Sequence, residues 1–141
     1  MAGTGSDMRA DWQVEAPSGF LARAPLSAAI RVGDLIFVSG QIGIDDAGAV
    51  VMGGIQEQTR ACLESIKNIL APMGATMADV VQTRVYLTDF SGYADYNRVY
   101  QEYFSAPFPT RATVGTPMLA LGAQIEIEAV AMRRQAIWRA K

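Results

Sequence analysis

The residues best equipped for chemistry lie in two short runs, Pro109-Thr110-Arg111-Ala112-Thr113-Val114 and Gln124-Ile125-Glu126-Ile127-Glu128-Ala129. The first places one arginine on a β-rich stretch. The second places carboxylates on an otherwise apolar, alternating strand. A guanidinium is a rigid fork of N–H donors that matches the two oxygens of a carboxylate. A glutamate held nearby on a strand can hold a water and take its proton. Together they point to a small site for a carboxylate-bearing metabolite. The same two side chains read equally well as partners in an ordinary salt bridge, and spacing alone does not separate the readings.

Other chemistries find little support. The chain has no histidine, which removes the commonest general base and the commonest metal ligand together. Its single cysteine, Cys62, allows neither a disulfide framework nor a cysteine-rich zinc site, and it falls on a helical apolar stripe where a small core residue is expected rather than a nucleophile. Neither a GxxxxGK phosphate loop nor a GxGxxG turn occurs. The formal charge is −2 and the basic residues are scattered, only Arg133-Arg134 being adjacent, so no basic stripe invites nucleic acid. No apolar run has the length of a membrane span. The first residues, Met1 to Asp7, are small and polar and lack the basic and apolar regions of a signal peptide. Residues 1–18 are read as a flexible lead-in, and the cytoplasm is the expected location.

With 141 residues, half of them apolar, the chain has material for one core and not two. Ala28 to Val32 and Leu35 to Ser39, joined by Gly33-Asp34, read as a β-hairpin. Ala49 to Met52 reads as a short further strand. From Ile55 to about Met73 the period becomes helical, with Cys62, Ile66, Ile69, Leu70 and Met73 on one face and Pro72 and Gly74 at the end. Val80 to Leu87 reads as a strand with Val81, Thr83, Val85 and Leu87 on one face. Thr88-Asp89-Phe90-Ser91 offers capping chemistry for a second helix. On that helix Tyr93, Tyr96, Val99, Tyr100, Tyr103 and Phe104 form one broad face, most simply a core face. Pro107 and Pro109 stop it. Arg111 to Thr116 and Gln124 to Arg133 read as the last two strands. Two helices and about six strands make an α+β protein, a mixed sheet with both helices packed on one face. On the final strand Ile125, Ile127, Ala129 and Ala131 point one way, as a floor for the helices. Gln124, Glu126, Glu128, Val130 and Met132 point the other way, a mixed surface that fits a subunit interface carrying a polar pocket.

Several stretches, in order, carry a family resemblance: Phe37-Val38-Ser39-Gly40-Gln41-Ile42, Gly53-Gly54-Ile55 with Gln58-Thr59-Arg60, and Val85-Tyr86-Leu87-Thr88-Asp89. They continue with Tyr96-Asn97, Val99-Tyr100, Pro109-Thr110-Arg111 and Ile125-Glu126-Ile127-Glu128-Ala129. In these the chain resembles the RidA/YjgF family of enamine/imine deaminases, also called the L-PSP family, from about Ala24 to Met132. The resemblance implies a chorismate-mutase-like six-stranded fold spanning one domain at 19–136, followed by a tail at 137–141. It also implies a homotrimer with a site in each intersubunit cleft and no cofactor or metal. The implied reaction is hydrolysis of 2-aminoacrylate-type enamines and their imine tautomers to 2-keto acids and ammonia. Carried onto this sequence, Arg111 would clamp the substrate carboxylate. Glu126 would hold and activate water together with the backbone carbonyl of Thr113. Ser39 and the N–H of Gly40 would border the ligand, and Asn97 and Tyr93 would line the cleft.

The chain also departs from the family pattern. Ala24-Pro25-Leu26-Ser27 stands where the deaminases usually carry Gly-Pro-Tyr-Ser, so Leu26 makes one wall of the expected site apolar. Gly115 and Ala120 also replace commoner residues. An altered substrate choice, towards a bulkier or more apolar imine, is therefore expected. Two other functions remain open at this stage: a regulatory trimer that binds a keto acid without turning it over, and an endoribonuclease. Plainer roles also remain open, with Ser39 capping a strand and Asn97 satisfying backbone groups. Glu128 is expected at an interface or a solvated edge, and Arg60 and Arg84 in ion pairs.

Overall fold

The computed structural model of the chain describes residues 8–133; Met1 to Asp7, the last residues expected in the domain (134–136) and the expected tail at 137–141 lie outside the described residues. Six strands form one sheet: β1 (Gln13–Glu15), β2 (Ala29–Val32), β3 (Leu35–Ile42), β4 (Val80–Leu87), β5 (Thr110–Gly115) and β6 (Ile125–Met132). Helix α1 (Gly54–Leu70) separates β3 from β4, and α2 (Tyr93–Tyr103) separates β4 from β5. The order across the sheet is β1-β2-β3-β6-β4-β5.

The topology explains why both helices share a face. β4 and β5 pair in parallel. β3 and β4 are both antiparallel to β6, which lies between them, so they also run the same way. Each helix is thus a crossover between parallel strands, and crossovers of one hand settle on one side of a sheet. The expected helix and strand positions agree closely with these elements, and Asp89 accepts a hydrogen bond from the Ser91 N–H (2.8 Å) at the turn into α2.

Three details differ from the sequence reading. Ala49 to Met52 forms only an isolated bridge, Ile44 to Val50, because the Asp45 carboxylate takes the Ala47 and Ala49 N–H groups into a turn. The sixth strand is instead β1, which lies within the segment read as lead-in and pairs with β2. On β4 the register against β6 shifts between Val80 and Gln82, so Val80 enters the core while Val81 is 45% exposed. Thr83, Val85 and Leu87 do face inward, as alternation requires.

The core lies between the helices and the sheet. Leu63, Ile66 and Leu70 of α1 and Tyr96 and Val99 of α2 cover Ile36, Val85, Leu87, Ile125 and Ile127. Full burial of each large apolar side chain is worth about 1.5–3 kcal/mol. Cys62 is wholly buried among them, where burial pushes its thiol well above the usual range and leaves it a core residue. Among the described residues no helix covers the other sheet face, and there Val32, Leu35, Phe37 and Met132 are each more than 40% exposed.

Helix α1 approaches β3 closely at Gly43. A methyl group there would stand 2.9 Å from the Gln58 Cα and 3.0 Å from its carbonyl oxygen, both backbone atoms that cannot swing aside. Gly43→Ala is therefore expected to destabilise the fold by roughly 1–3 kcal/mol, the usual cost of overpacking. A fall in the urea midpoint without a change of slope would register it.

Candidate active site

The strand register decides which functional side chains can meet. Arg111 pairs with Thr83 and Thr113 with Val85, and both partners are buried under the helices. Arg111 and Thr113 therefore stand on the helix-covered face of β5, an edge strand. Glu126 pairs with Tyr86 on one side and Ile42 on the other, on the bare face. Arg111 and Glu126 are thus two strands apart and on opposite faces of the sheet. The salt-bridge reading fails for that reason, and so does any site uniting the two within one chain.

The arginine lies in an aromatic cage. Its guanidinium carbon is 5.7, 5.3 and 4.8 Å from the ring centroids of Tyr93, Tyr96 and Tyr100, near enough for cation–π attraction. Its NH1 donates to Asn97 Oδ1 (2.8 Å) and its NH2 to the Tyr93 hydroxyl oxygen (2.9 Å). Both acceptors are neutral, so the positive charge is not cancelled. The direction of these bonds matters. An Asn97 whose oxygen accepts has its NH2 left to donate, and a Tyr93 whose oxygen accepts still has its O–H proton to give. Tyr93 is 38% exposed. The cluster therefore offers incoming molecules a cation flanked by hydrogen-bond donors, which is what a carboxylate requires. Behind the cage, Tyr100 and Thr83 share a hydrogen bond (2.8 Å), and Tyr96 shares one with Thr113. Burial raises both phenols above their ordinary values, so they stay protonated.

The second group gathers around β3. The Glu126 carboxylate lies against Gly40, where a Cβ would come within 2.8 Å of its Oε1. Gly40 is the residue that lets the carboxylate lie flat on the backbone. Partial burial raises the Glu126 pKa, and the like charge of Glu128 on the same face raises it further. Ser39 does not cap its strand. Its hydroxyl donates to the Ser27 carbonyl oxygen (2.6 Å) and ties the neighbouring loop to β3. Leu26, on that loop, is 43% exposed. Leu26, Ser39 and Gly40 line one cavity of about 310 Å³ with Phe20, Ile44 and Ile69.

The structure thus brings Arg111, Thr113, Tyr93 and Asn97 together on the helix-covered face and sets Glu126 against Gly40 on the other, while Leu26 and Ser39 line a cavity at the end of β3 that Ile69 of α1 also lines and Glu126 does not. Glu128 accepts from Arg84 (3.2 Å) and from the Tyr86 hydroxyl (3.2 Å), and Arg60 pairs with Glu57 and Glu102, as expected of ion-pair residues. Tyr96 and Tyr100 were read from sequence as plain core residues; their part in holding Arg111 was missed. The available signal was a Tyr at positions 93, 96 and 100, one helical stripe.

Fold and side-chain placement together define a small α+β protein that carries an arginine held by neutral acceptors on one sheet face and a partly buried glutamate on the other. The family model described as Endoribonuclease L-PSP matches residues 17–133. A RutC family protein of Pyrococcus abyssi is 46% identical over 110 residues, 77% of this chain and 87% of the relative. A Homo sapiens protein named 2-iminobutanoate/2-iminopropanoate deaminase is 39% identical over 77% of this chain and 80% of its own. The crystal structure of the YjgF gene product from E. coli superposes with a TM-score of 0.79 at 31% identity, covering 86% of this chain and 99% of that one. The chain belongs to the RidA/YjgF family, the L-PSP family of that model.

The influence of Glu128 on Glu126 can be tested without any assay of function. Glu128→Gln removes a negative neighbour, so the charged form of Glu126 becomes easier to reach and its pKa should fall towards the ordinary carboxylate range. A carbon-detected NMR titration of the side-chain carboxyl reads the shift, and an unmoved or raised value contradicts it.

Proposed function

We propose that this protein hydrolyses enamine and imine forms of 2-keto acids, of the 2-aminoacrylate and 2-iminopropanoate type, to the keto acid and ammonia. The reaction takes place in clefts between the copies of a homotrimer. The observation that carries this reading is the pair of half-sites on opposite sheet faces: a carboxylate grip and a water-activating carboxylate that only a second copy can bring together. The bare face bearing Val32, Leu35, Phe37 and Met132 gives such copies an apolar surface to bury. Relatives named as imine deaminases support the chemistry.

The reaction asks little of the protein. A 2-imino acid is already electrophilic at C2. Arg111, with Tyr93 and Asn97 beside it, holds the carboxylate and fixes C2 in place. Glu126 and the Thr113 carbonyl oxygen hold a water against C2. The water oxygen bonds to C2 of the N-protonated imine as Glu126 takes its proton, and the C=N π pair moves onto nitrogen to give a neutral carbinolamine. Glu126 then returns the proton to nitrogen, the C–N bond breaks with its electron pair leaving on ammonia, and the C2 carbonyl forms as the hydroxyl proton passes to Glu126 and on to solvent. An enamine enters the same route after proton addition at C3. Positioning supplies several kcal/mol and aligned dipoles roughly 3 kcal/mol more, so no imidazole is needed. With its pKa raised by burial, Glu126 is a stronger base towards water than an exposed glutamate. Among the described residues no helix is long and apolar enough to cross a membrane.

Arg111→Ala should lower kcat/KM for freshly generated 2-iminopropanoate by roughly 100-fold or more, since truncating one side of a desolvated charge pair costs about 3 kcal/mol. Coupled detection of pyruvate and ammonia measures it. A wild-type rate equal to that of buffer across several amino-acid-derived imines would falsify the hydrolytic reading. The donor-rich grip also fits a keto acid held without turnover. Calorimetry showing Arg111-dependent 2-oxobutanoate binding in a protein that hydrolyses no imine would establish that function instead.

Gly40→Ala separates Glu126 from the fold. The new methyl displaces a flexible carboxylate and no backbone atom, so stability should change by less than about 0.5 kcal/mol. Turnover of 2-iminopropanoate should nevertheless fall about tenfold or more, some 1.4 kcal/mol in barrier. An unchanged turnover number would show that the placement of Glu126 is unimportant.

A further inference from the structure

Tyr96 is wholly buried, yet it carries a hydroxyl that a core position does not need. A phenylalanine would fill the same space against Tyr93 and Tyr100, whose rings meet Tyr96 edge-on at 5.2 and 6.4 Å. The hydroxyl instead bonds to Thr113 Oγ1. The ring lies beside the Arg111 guanidinium, 5.3 Å from its carbon. Arg111 and Thr113 are two residues apart on the same face of β5, so one side chain touches both residues of that strand to which the deaminase reading gives work. Among the described residues β5 is an edge strand, paired only with β4. Its position has to be fixed partly by side chains, and the Tyr96–Thr113 bond ties it to α2.

We propose that Tyr96 is a positioning residue with two separable actions: its ring orients Arg111 for the ligand carboxylate, and its hydroxyl anchors Thr113, whose carbonyl helps hold the water. The proposal rests on the deaminase reading of the same cleft. Carboxylate grip and water position are then set by a single side chain, so C2 and the water oxygen keep one relative geometry.

The two actions predict different kinetic signatures. Tyr96→Phe keeps the ring and deletes the bond to Thr113. It should lower kcat for 2-iminopropanoate about tenfold while KM, and the Kd for 2-oxobutanoate by calorimetry, change less than twofold. Thr113→Val deletes the other half of the bond. If the two hydroxyls act as a unit, the double variant should be no slower than the slower single one. Tyr96→Met fills the space without a π-face and should weaken 2-oxobutanoate binding at least fivefold. A merely structural role would lower melting temperature in all variants without this division between kcat and Kd. Wild-type kcat in Tyr96→Phe, or multiplying losses in the double variant, overturns the role of the hydroxyl. Wild-type Kd in Tyr96→Met overturns the role of the ring. A wild-type protein that binds 2-oxobutanoate but hydrolyses no imine defeats the deaminase reading and the hydroxyl's role in turnover, while the Kd of Tyr96→Met still decides whether the ring orients Arg111.

Discussion

A positive charge that is held firmly but not neutralised is the constraint around which this protein is arranged. Arg111 packs against three tyrosine rings and donates only to an amide oxygen and a phenol oxygen. A carboxylate partner would have bound it more strongly and closed it to ligands. Neutral acceptors fix the plane of the guanidinium and leave its charge available, and because they accept through oxygen their own donors remain free. Much of α2 serves this end. Its Tyr93, Asn97, Tyr96 and Tyr100 contact the arginine, and Tyr96, Val99 and Tyr100 also join the core.

The sheet imposes the second constraint. Alternation along β6 sends Ile125, Ile127, Ala129 and Ala131 into the core and leaves Glu126 on the other side. Alternation along β5, read through its pairing with β4, sends Arg111 and Thr113 to the helix side. A shift of one residue in β6 would reverse this separation, and it would also expel the core. The face that Glu126 occupies is therefore as firmly set as the packing of β6 against the helices.

Much of this was legible in the sequence because it depends on local periodicity. The bounds of β4 follow from its β-branched run, and the helical stripes of α1 and α2 from their spacing. The two faces of β6 follow from strict alternation. What was not legible depends on tertiary register. Val80 replaces Val81 in the core because of an irregularity against β6. Ala49 to Met52 has strand composition but loses its backbone donors to Asp45. Gln13–Glu15 has little strand character and forms β1 because β2 offers it an edge. In the site, Arg111 and Glu126 were identifiable by residue type. Their opposite faces could be worked out only once β5 was known to pair in parallel with β4, which no local pattern reveals. The cage of Tyr96 and Tyr100 was hidden by its resemblance to ordinary core packing.

The separation of Arg111 from Glu126 bears on inheritance as well as mechanism. Any cleft that unites them draws one group from each of two chains. In such an assembly, a polypeptide lacking the guanidinium and another lacking the carboxylate each retain what the other has lost. Where two such defective alleles are expressed together, mixed assemblies contain some clefts with both groups present. Partial complementation between the two lesions, which neither could show alone, follows from the way a β-strand alternates.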